Sequence, residues 1–383
     1  MPLSRDPHFT GSNQAEASIR NRELVVRLLR DDGPMSRSDL AERTQLRSST
    51  LTYITRDLME IGIVHTAGKR ESTGVGKPQQ LLDIDPAFGC FLGVSLEAGA
   101  VSLLYVDARG KVLDRDYFDL GRELHELPDT LGPRVQATLK RLGGLRLRGM
   151  GVGVPGIVDP YRGLVLRSRW FNAENYPLRA LLKDVFGVPV TIDNDANLAA
   201  YAESERGAGH DVRDLIYFLV NSEQDGDHYA VRALGATLIL NGRLHRGSCF
   251  AAGEIDNLLD HDDQVIVSAH DLLEIAKPDG EMTTALQHLT VRLGRVLASL
   301  WNVIDPGVVV LGGNIQIVNQ RVLDAMTQQI ATSTIAMPSR EIVIRPGDLR
   351  EHGVAHGGTI VAIEHIFFSN RGVIAAAESD SSV

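Results

Sequence analysis

The sequence predicts an α/β protein in two parts: an N-terminal winged helix-turn-helix, then a larger body of two α/β lobes. Three observations carry this. Residues 17–85 read as three short helices followed by a hairpin with a basic, glycine-bearing tip. From Gly89 onward strands and helices alternate. That alternation falls into two successive blocks of similar design, which implies two lobes with a cleft between them. The 383 residues provide length for two or three domains and a real core.

The first helix contains Ile19, Leu24, Val25, Leu28 and Leu29 at helical spacings and stops at Asp31-Asp32-Gly33-Pro34. Ser36 can cap a second helix, with Asp39 reaching back. Thr44-Gln45-Leu46 forms the turn. A third helix starts at Ser48, with Leu51, Ile54, Leu58 and Ile61 inward and Gly62 at its end. Residues 63–66 and 80–84 pair as the hairpin, and Asp85-Pro86 closes the unit. Residues 1–16 are expected to be a flexible tail, 17–85 the winged domain and 86–383 the body. In the body, strands are expected at 89–96, 100–107, 111–119, 146–154, 188–192, 214–220, 228–240, 307–311 and 341–345. Helices are expected at 123–141, 194–206, 282–303, 316–332 and 353–367.

Composition bounds the function. Hydrophobic residues make up 43% and charged residues 23%, which excludes a disordered or fibrous chain. No apolar run reaches the ~18 residues of a membrane span, and the polar N-terminus does not resemble a secretory signal. Two cysteines, Cys90 and Cys249, exclude a disulfide framework and a four-cysteine zinc site. A cytoplasmic protein is expected. The net charge of −10 is unevenly spread. Residues 1–82 hold 12 Lys and Arg against 10 Asp and Glu, so a slightly basic head sits on an acidic body. Screening confines each charge to about 10 Å, so the head can bind phosphates locally.

On the third helix the outward residues are Ser49, Thr52, Tyr53 and Arg56, with Ser48 at its start and Arg37 and Arg47 flanking the turn. Hydroxyls and guanidinium groups contact phosphates and base edges, and a helix N-terminus offers free N–H groups. The hairpin adds Lys69, Arg70 and Lys77. These ten residues are the expected DNA contacts; the plainer alternative is a solvated helical interaction module.

Five motifs occur in order along the body: Gly151-Val-Gly-Val-Pro-Gly-Ile-Val-Asp159, Asp193-Asn-Asp-Ala-Asn197, Asn241-Gly-Arg-Leu-His-Arg-Gly247, Ala252-Gly-Glu-Ile255 and Val310-Leu-Gly-Gly313. With the winged segment they resemble the ROK family (repressor, open reading frame, kinase), in its xylose- and N-acetylglucosamine-responsive repressor branch. The resemblance covers nearly the whole chain from about residue 18. It implies an actin-like, sugar-kinase (ribonuclease H-like) fold, with a sugar held between lobes and ATP beside it. Asp195 matches the family's catalytic base, here expected to be vestigial. Asn194, Glu254, Gly153 and Pro155 match its sugar pocket. A helix cap explains one of Asp193 and Asn194 without any ligand.

The departures are as informative. Where the family has Asp-x-Gly-Gly-Thr, this chain has Ser95-Leu-Glu97-Ala-Gly99, placing a carboxylate where phosphate would sit. The second glycine-rich phosphate loop is replaced by Asn221-Ser-Glu-Gln-Asp-Gly-Asp227. The family's Glu-x-Gly-His is here Glu254-Ile-Asp-Asn257, and no cysteine-rich zinc segment follows. His261, Asp262 and Asp263 are read as solvated. No metal and no cofactor are therefore expected. Asn257, and Glu274 by a looser match, complete the expected ligand set. The sequence reading is a homodimeric repressor, with tetramers left open, that binds operator DNA and senses a sugar or sugar derivative without phosphorylating it. Two alternatives remain: an ATP-dependent sugar kinase with an accessory DNA-binding domain, and a regulator controlled by a protein partner.

Overall fold

The computed structural model describes residues 14–70, 78–97, 99–255, 266–277, 280–313, 320–334 and 341–368. Residues 1–13 of the expected tail, the hairpin tip with Lys77, and Asn257, His261, Asp262 and Asp263 lie outside these. The first helix, α1, begins at Gln14 and runs to Asp32, so 14–16 belong to it.

The N-terminal unit continues with β1 (Met35–Ser36), α2 (Arg37–Thr44), α3 (Ser48–Glu60), β2 (Val64–Arg70) and β3 (Gln79–Ile84). Ser36 and Asp39 form the expected capping box on α2, and Gln45 turns the chain at φ 57°. Leu51, Ile54 and Leu58 are buried as the spacing requires. Met35–Ser36 adds a third strand beside β3, which two residues were too few to announce.

The first lobe contains β4 (Cys90–Glu97), β5 (Ala100–Asp107), β6 (Val112–Asp119), α4 (Leu127–Arg141), β7 (Leu147–Val154), β8 (Ile157–Asp159), β9 (Leu164–Ser168), β10 (Ala173–Tyr176), α5 (Leu178–Phe186) and β11 (Val190–Asn194). Its main sheet has the order β11-β7-β4-β5-β6. The small antiparallel sheet β10-β9-β8 and α5 were not read from the sequence. Their strands have three to five residues, too short for a clear period. Helix α6 (Asp195–Arg206) leads to the second lobe: β12 (Leu215–Asp225), β13 (His228–Leu240), β14 (Arg243–His245), β15 (Ile266–Ser268), α7 (Ala269–Ala276), α8 (Thr284–Ile304), β16 (Val308–Gly312), α9 (Gln320–Ser333) and β17 (Ile344–Pro346). Its sheet runs β14-β13-β12-β16-β17, with β15 on β13. The final helix, α10 (Gly353–Phe368), returns to the first lobe.

Four apolar clusters hold this together. One face of the first sheet packs on α4 and α5 through Leu131, Val135, Leu178 and Leu182. The second sheet packs on α8 and α9 around the buried Trp301. Its other face packs on α6 through Ala196, Ala199 and Ala200. The fourth cluster ignores the expected boundary at residue 85. Val25, Leu29 and Leu58 of the winged unit share it with Phe91, Val106, Ile363 and Phe367 of the body. Phe88, Phe91 and Phe367 interlock there, with centroids 5.9–6.4 Å apart.

α10 lies so close to β4 and β7 that glycine is required on both sides. A Cβ on Gly151 would run into the Gly358 carbonyl. Neither backbone can retreat from a packed sheet, so Gly151→Ala should lower stability by about 3 kcal/mol. Gly121→Ala, where a Cβ would meet only Glu126 at 3.9 Å, is the control. Chemical denaturation of both variants checks this.

No helix among the described residues is long and apolar enough to cross a membrane.

Candidate effector cleft and nucleic-acid interface

A cavity of about 360 Å³ opens between the lobes. The first lobe contributes Pro155–Ile157, Arg167, Arg169 and Trp170. α6 contributes its N-terminal Asn194–Asn197. The second lobe contributes Leu219, Leu234–Ala236 and the loop Phe250–Glu254.

The motif at β11–α6 divides its work between scaffold and site. Asn194 is the helix cap: its Oδ1 accepts from the Asn197 N–H at 3.0 Å, and its Nδ2 donates to the Gly156 carbonyl at 2.9 Å. It ties the helix to the Pro155-Gly156 turn, so its place at the cavity comes with a structural task the sequence assigned only as an alternative. Asp193 is buried and accepts from Asn197 Nδ2 at 3.0 Å and from Arg246 Nη2 at 2.5 Å. Arg246 comes from the opposite lobe, so this pair bridges the cleft. The Thr237 hydroxyl donates to Asn197 Oδ1 at 3.1 Å and makes a second bridge.

Asp195 lines the cavity and accepts from the Ala196 N–H of its own helix at 2.8 Å. Burial pushes its carboxyl up to about 6, and the negative charges of Glu254 and Glu97 add to this. Glu254 is delivered by a strained turn. Gly253 has φ +86°, and its carbonyl accepts from the Ala236 N–H at 2.9 Å. A side chain there would collide with the Ala236 carbonyl, so the Ala252-Gly-Glu-Ile motif needs its glycine to aim Glu254 inward.

Pro155, Asn194, Asp195 and Glu254 are thus brought together. Gly153 is not at the cavity. It lies within β7, where a Cβ would press on Val354 and Leu198, so its smallness serves packing. Glu274 is also displaced. It sits in α7 and accepts from Lys277 Nζ at 2.5 Å, which holds its carboxyl below the usual range. The sequence reading missed Arg167, Arg169, Trp170, Phe250 and Arg246. Arg167 lies in β9 and Arg169 in the turn that follows it, a placement visible only once β9 is known.

Residues 221–225, expected from the resemblance to stand in place of a phosphate loop, belong to a strand. β12 stays paired with β13 as far as Asp225 opposite His228, closing through Gly226-Asp227. Its backbone groups are committed to a ladder rather than turned toward a ligand. Glu97 stands at the exposed end of β4 and accepts from the Ser95 hydroxyl at 3.1 Å.

On the winged unit, Arg47, Ser48, Ser49, Thr52, Tyr53 and Arg56 are exposed together along α3, and Lys69 is exposed on β2. α3 starts at Ser48 as expected, and its cap, Arg47, makes no side-chain cap bond. The first N–H groups of α3 are therefore left for an incoming anion. Two expected contacts are engaged elsewhere. Arg37 Nε donates to the Thr55 hydroxyl at 2.9 Å, bracing α2 on α3. Arg70 Nη2 donates to both oxygens of Asp39, at 2.8 and 2.9 Å, and to Gln79. It fastens the hairpin to the capping box.

A model of the ROK family matches residues 92–266 and 261–365. The chain belongs to the ROK family. A winged helix-turn-helix DNA-binding model matches residues 17–65 of this ROK protein. A xylose repressor of Bacillus spizizenii is 23% identical over 379 residues, covering 90% of this chain and 95% of the relative. A xylose repressor of Caldicellulosiruptor bescii is 29% identical over 239 residues, covering 61% of this chain and 57% of that relative's length. A solved ROK family transcriptional regulator, described as a homologue of the E. coli MLC protein, superposes with a TM-score of 0.74. It is 20% identical and covers 94% of this chain and 99% of its own. That likeness establishes the fold: a winged helix followed by the two-lobed ROK body.

Proposed function

We propose that this ROK protein is a DNA-binding transcriptional repressor whose cleft senses a sugar or sugar derivative and does not phosphorylate it. The observation that carries the reading is the course of α6. Its first turn lines the cavity through Asp195. Near its other end, Glu205 meets Arg27 of the winged unit at 3.0 Å. One rigid element therefore touches both the ligand space and the DNA-binding head. A ligand that favours one arrangement of the lobes would shift operator affinity by its differential binding. The repressor names of the two Bacillus and Caldicellulosiruptor relatives support the same reading.

Two copies would read a near-palindromic operator in the cytoplasm, since two-fold protein symmetry calls for two-fold DNA symmetry. Titrating operator binding against a panel of sugars and sugar derivatives tests the proposal. Effector-dependent release supports it; an operator affinity that no sugar alters rejects the sensing half. For the DNA half, Arg47→Ala should weaken binding to all sequences alike and reduce the salt slope by about 1. Tyr53→Ala should change base preference instead. Both are measured by fluorescence anisotropy across a salt series.

The kinase reading has one observation in its favour: an Asp195 held near 6 is a serviceable general base. Glu97 and the β12–β13 ladder oppose it, because phosphoryl transfer relies on positioning and charge neutralisation around the triphosphate. Sugar-dependent ADP release that Asp195→Asn abolishes would reverse the choice.

A further inference from the structure

We propose that Tyr161 and Phe250 form an aromatic gate across the rim of the cleft, one ring from each lobe, and that this gate limits the effector to a single sugar ring. This rests on the sensing function proposed above and names the residues that select its ligand by size.

The two rings stand 5.9 Å apart between centroids and are tilted by 54°. That is within the range of a favourable aromatic contact. Phe250 lines the cavity, whereas Tyr161 lies outside it and is 73% exposed. A pair with one member at the cavity and the other in solvent sits at the rim. Tyr161 belongs to the turn between β8 and β9 in the first lobe, and Phe250 to the loop after β14 in the second. Their contact therefore spans the opening.

The first-lobe side is a fixed post. Buried Asp159 accepts from the Tyr161 and Arg162 N–H groups at 3.0 and 2.9 Å. Arg179 donates to the Pro160 and Tyr161 carbonyls at 3.2 and 2.9 Å. The second-lobe side is strained. Phe250 has φ 60°, in the left-handed region that a bulky side chain rarely adopts. Strain of this kind persists where surrounding contacts hold it, and the Tyr161 ring supplies one from across the cleft. The same loop continues into Ala251–Glu254 of the cavity wall, so a shift of Phe250 bears directly on the ligand space.

Deeper in the cleft the lobes are joined by Asp193 with Arg246 and by Thr237 with Asn197. Breaking those polar bridges leaves buried groups unpaired. An aromatic contact is non-directional and parts without orphaning a polar group. The rim can therefore open while the base of the cleft stays tied. A single ring is enclosed when the pair closes again. A second glycosyl unit passing through the rim holds the two rings apart.

The test uses the full-length protein and two neutral series: glucose, cellobiose and cellotriose, and xylose, xylobiose and xylotriose. In calorimetric titrations the wild type should bind one of the monosaccharides at least ~10-fold more tightly than its disaccharide. Tyr161→Ala and Phe250→Ala should each bring that ratio close to one. Tyr117→Ala, which removes an exposed ring on β6, should leave it unchanged. A second readout needs no sugar. The protein has two tryptophans, of which Trp301 is fully buried and Trp170 lines the cavity. Quenching of their fluorescence by acrylamide therefore reports entry to the cavity. Each gate variant should at least double the quenching constant, and adding Trp170→Phe should remove the rise. Cooperative thermal unfolding of each variant confirms that it is folded. A wild type that binds monosaccharide and disaccharide alike, or quenching unchanged in both gate variants, overturns this inference and leaves sugar sensing standing. Failure of every sugar to bind the wild type and the gate variants overturns both.

Discussion

A double variant, Asp195→Asn with Glu254→Gln, should bind operator with near wild-type affinity yet no longer respond to effector. On the proposed function each carboxylate would accept charge-assisted hydrogen bonds from ring hydroxyls, worth about 1.5–3 kcal/mol apiece. Losing both should move the effector response at least ~100-fold to higher concentration. The same change should stabilise the protein without ligand. Asp195 is held up near 6 by burial, Glu254 and Glu97, against an ordinary carboxyl of 3.8. It binds its proton more tightly when folded than when unfolded. Its contribution to stability is therefore full below about pH 4 and is lost as pH rises through about 6. At neutral pH Asp195→Asn alone should gain on the order of 1–3 kcal/mol over wild type. That gain should shrink as pH falls from about 6 to about 4. Denaturation of both proteins across this range measures it, while operator binding with and without effector measures the response. A variant that still releases DNA at wild-type effector concentrations would remove these carboxylates from the sensor.

Arg27→Ala should disconnect the head from the cleft. Arg27 on α1 donates to Glu23 at 3.2 Å, to Glu205 of α6 at 3.0 Å and to Glu364 of α10 at 3.1 Å. Burial alone would lower its affinity for a proton, but Glu205 and Glu364 outweigh this and keep it firmly charged. Glu364 is largely buried and also accepts from the Tyr201 hydroxyl at 2.7 Å. Burial raises its carboxyl, and Tyr201 and Arg27 oppose that rise. Removing Arg27 leaves Glu364 with a half-satisfied charge, so a loss of about 2–3 kcal/mol is expected, less than for a fully buried pair. More important, α6 loses its ionic hold on the head. The effector-induced change in operator affinity should shrink at least ~10-fold. Arg109→Ala is the control. Arg109 also joins head to body, by Nη1 to Asp83 at 2.8 Å, but from the turn after β5 rather than from α6. If it blunts the response as much as Arg27→Ala, signal passage through α6 is excluded.

The cleft was partly legible because its motifs are local. Asp193-Asn-Asp-Ala-Asn197 announced a strand passing into a helix, while Ala252-Gly-Glu-Ile255 announced a carboxylate only through the resemblance and its glycine turn came from the structure. The role of each letter was less legible. Asn194 reads equally well as a ligand or a cap, and only the distances to Asn197 and Gly156 reveal the cap. Glu274 matched by loose alignment, yet a neighbouring Lys277 takes its carboxylate. Arg37 and Arg70 looked like DNA contacts because they are basic and near the recognition helix; Thr55 and Asp39 show them bracing the domain.

The sequence by itself determined the periodic and capped elements and the order of the two parts. These depend on contacts between near neighbours in the chain, where spacing and chemistry suffice. Only the tertiary structure decided that the head shares a core with α10, that Arg27 reaches α6 and α10, and that Arg167 and Arg169 line the same cavity as Asp195 and Glu254. Those partners lie tens to hundreds of residues apart, and no local pattern records which of many distant surfaces a side chain will meet. Packing chooses among them, through the glycines that let α10 settle on the sheet and the apolar faces that bring the two lobes around α6.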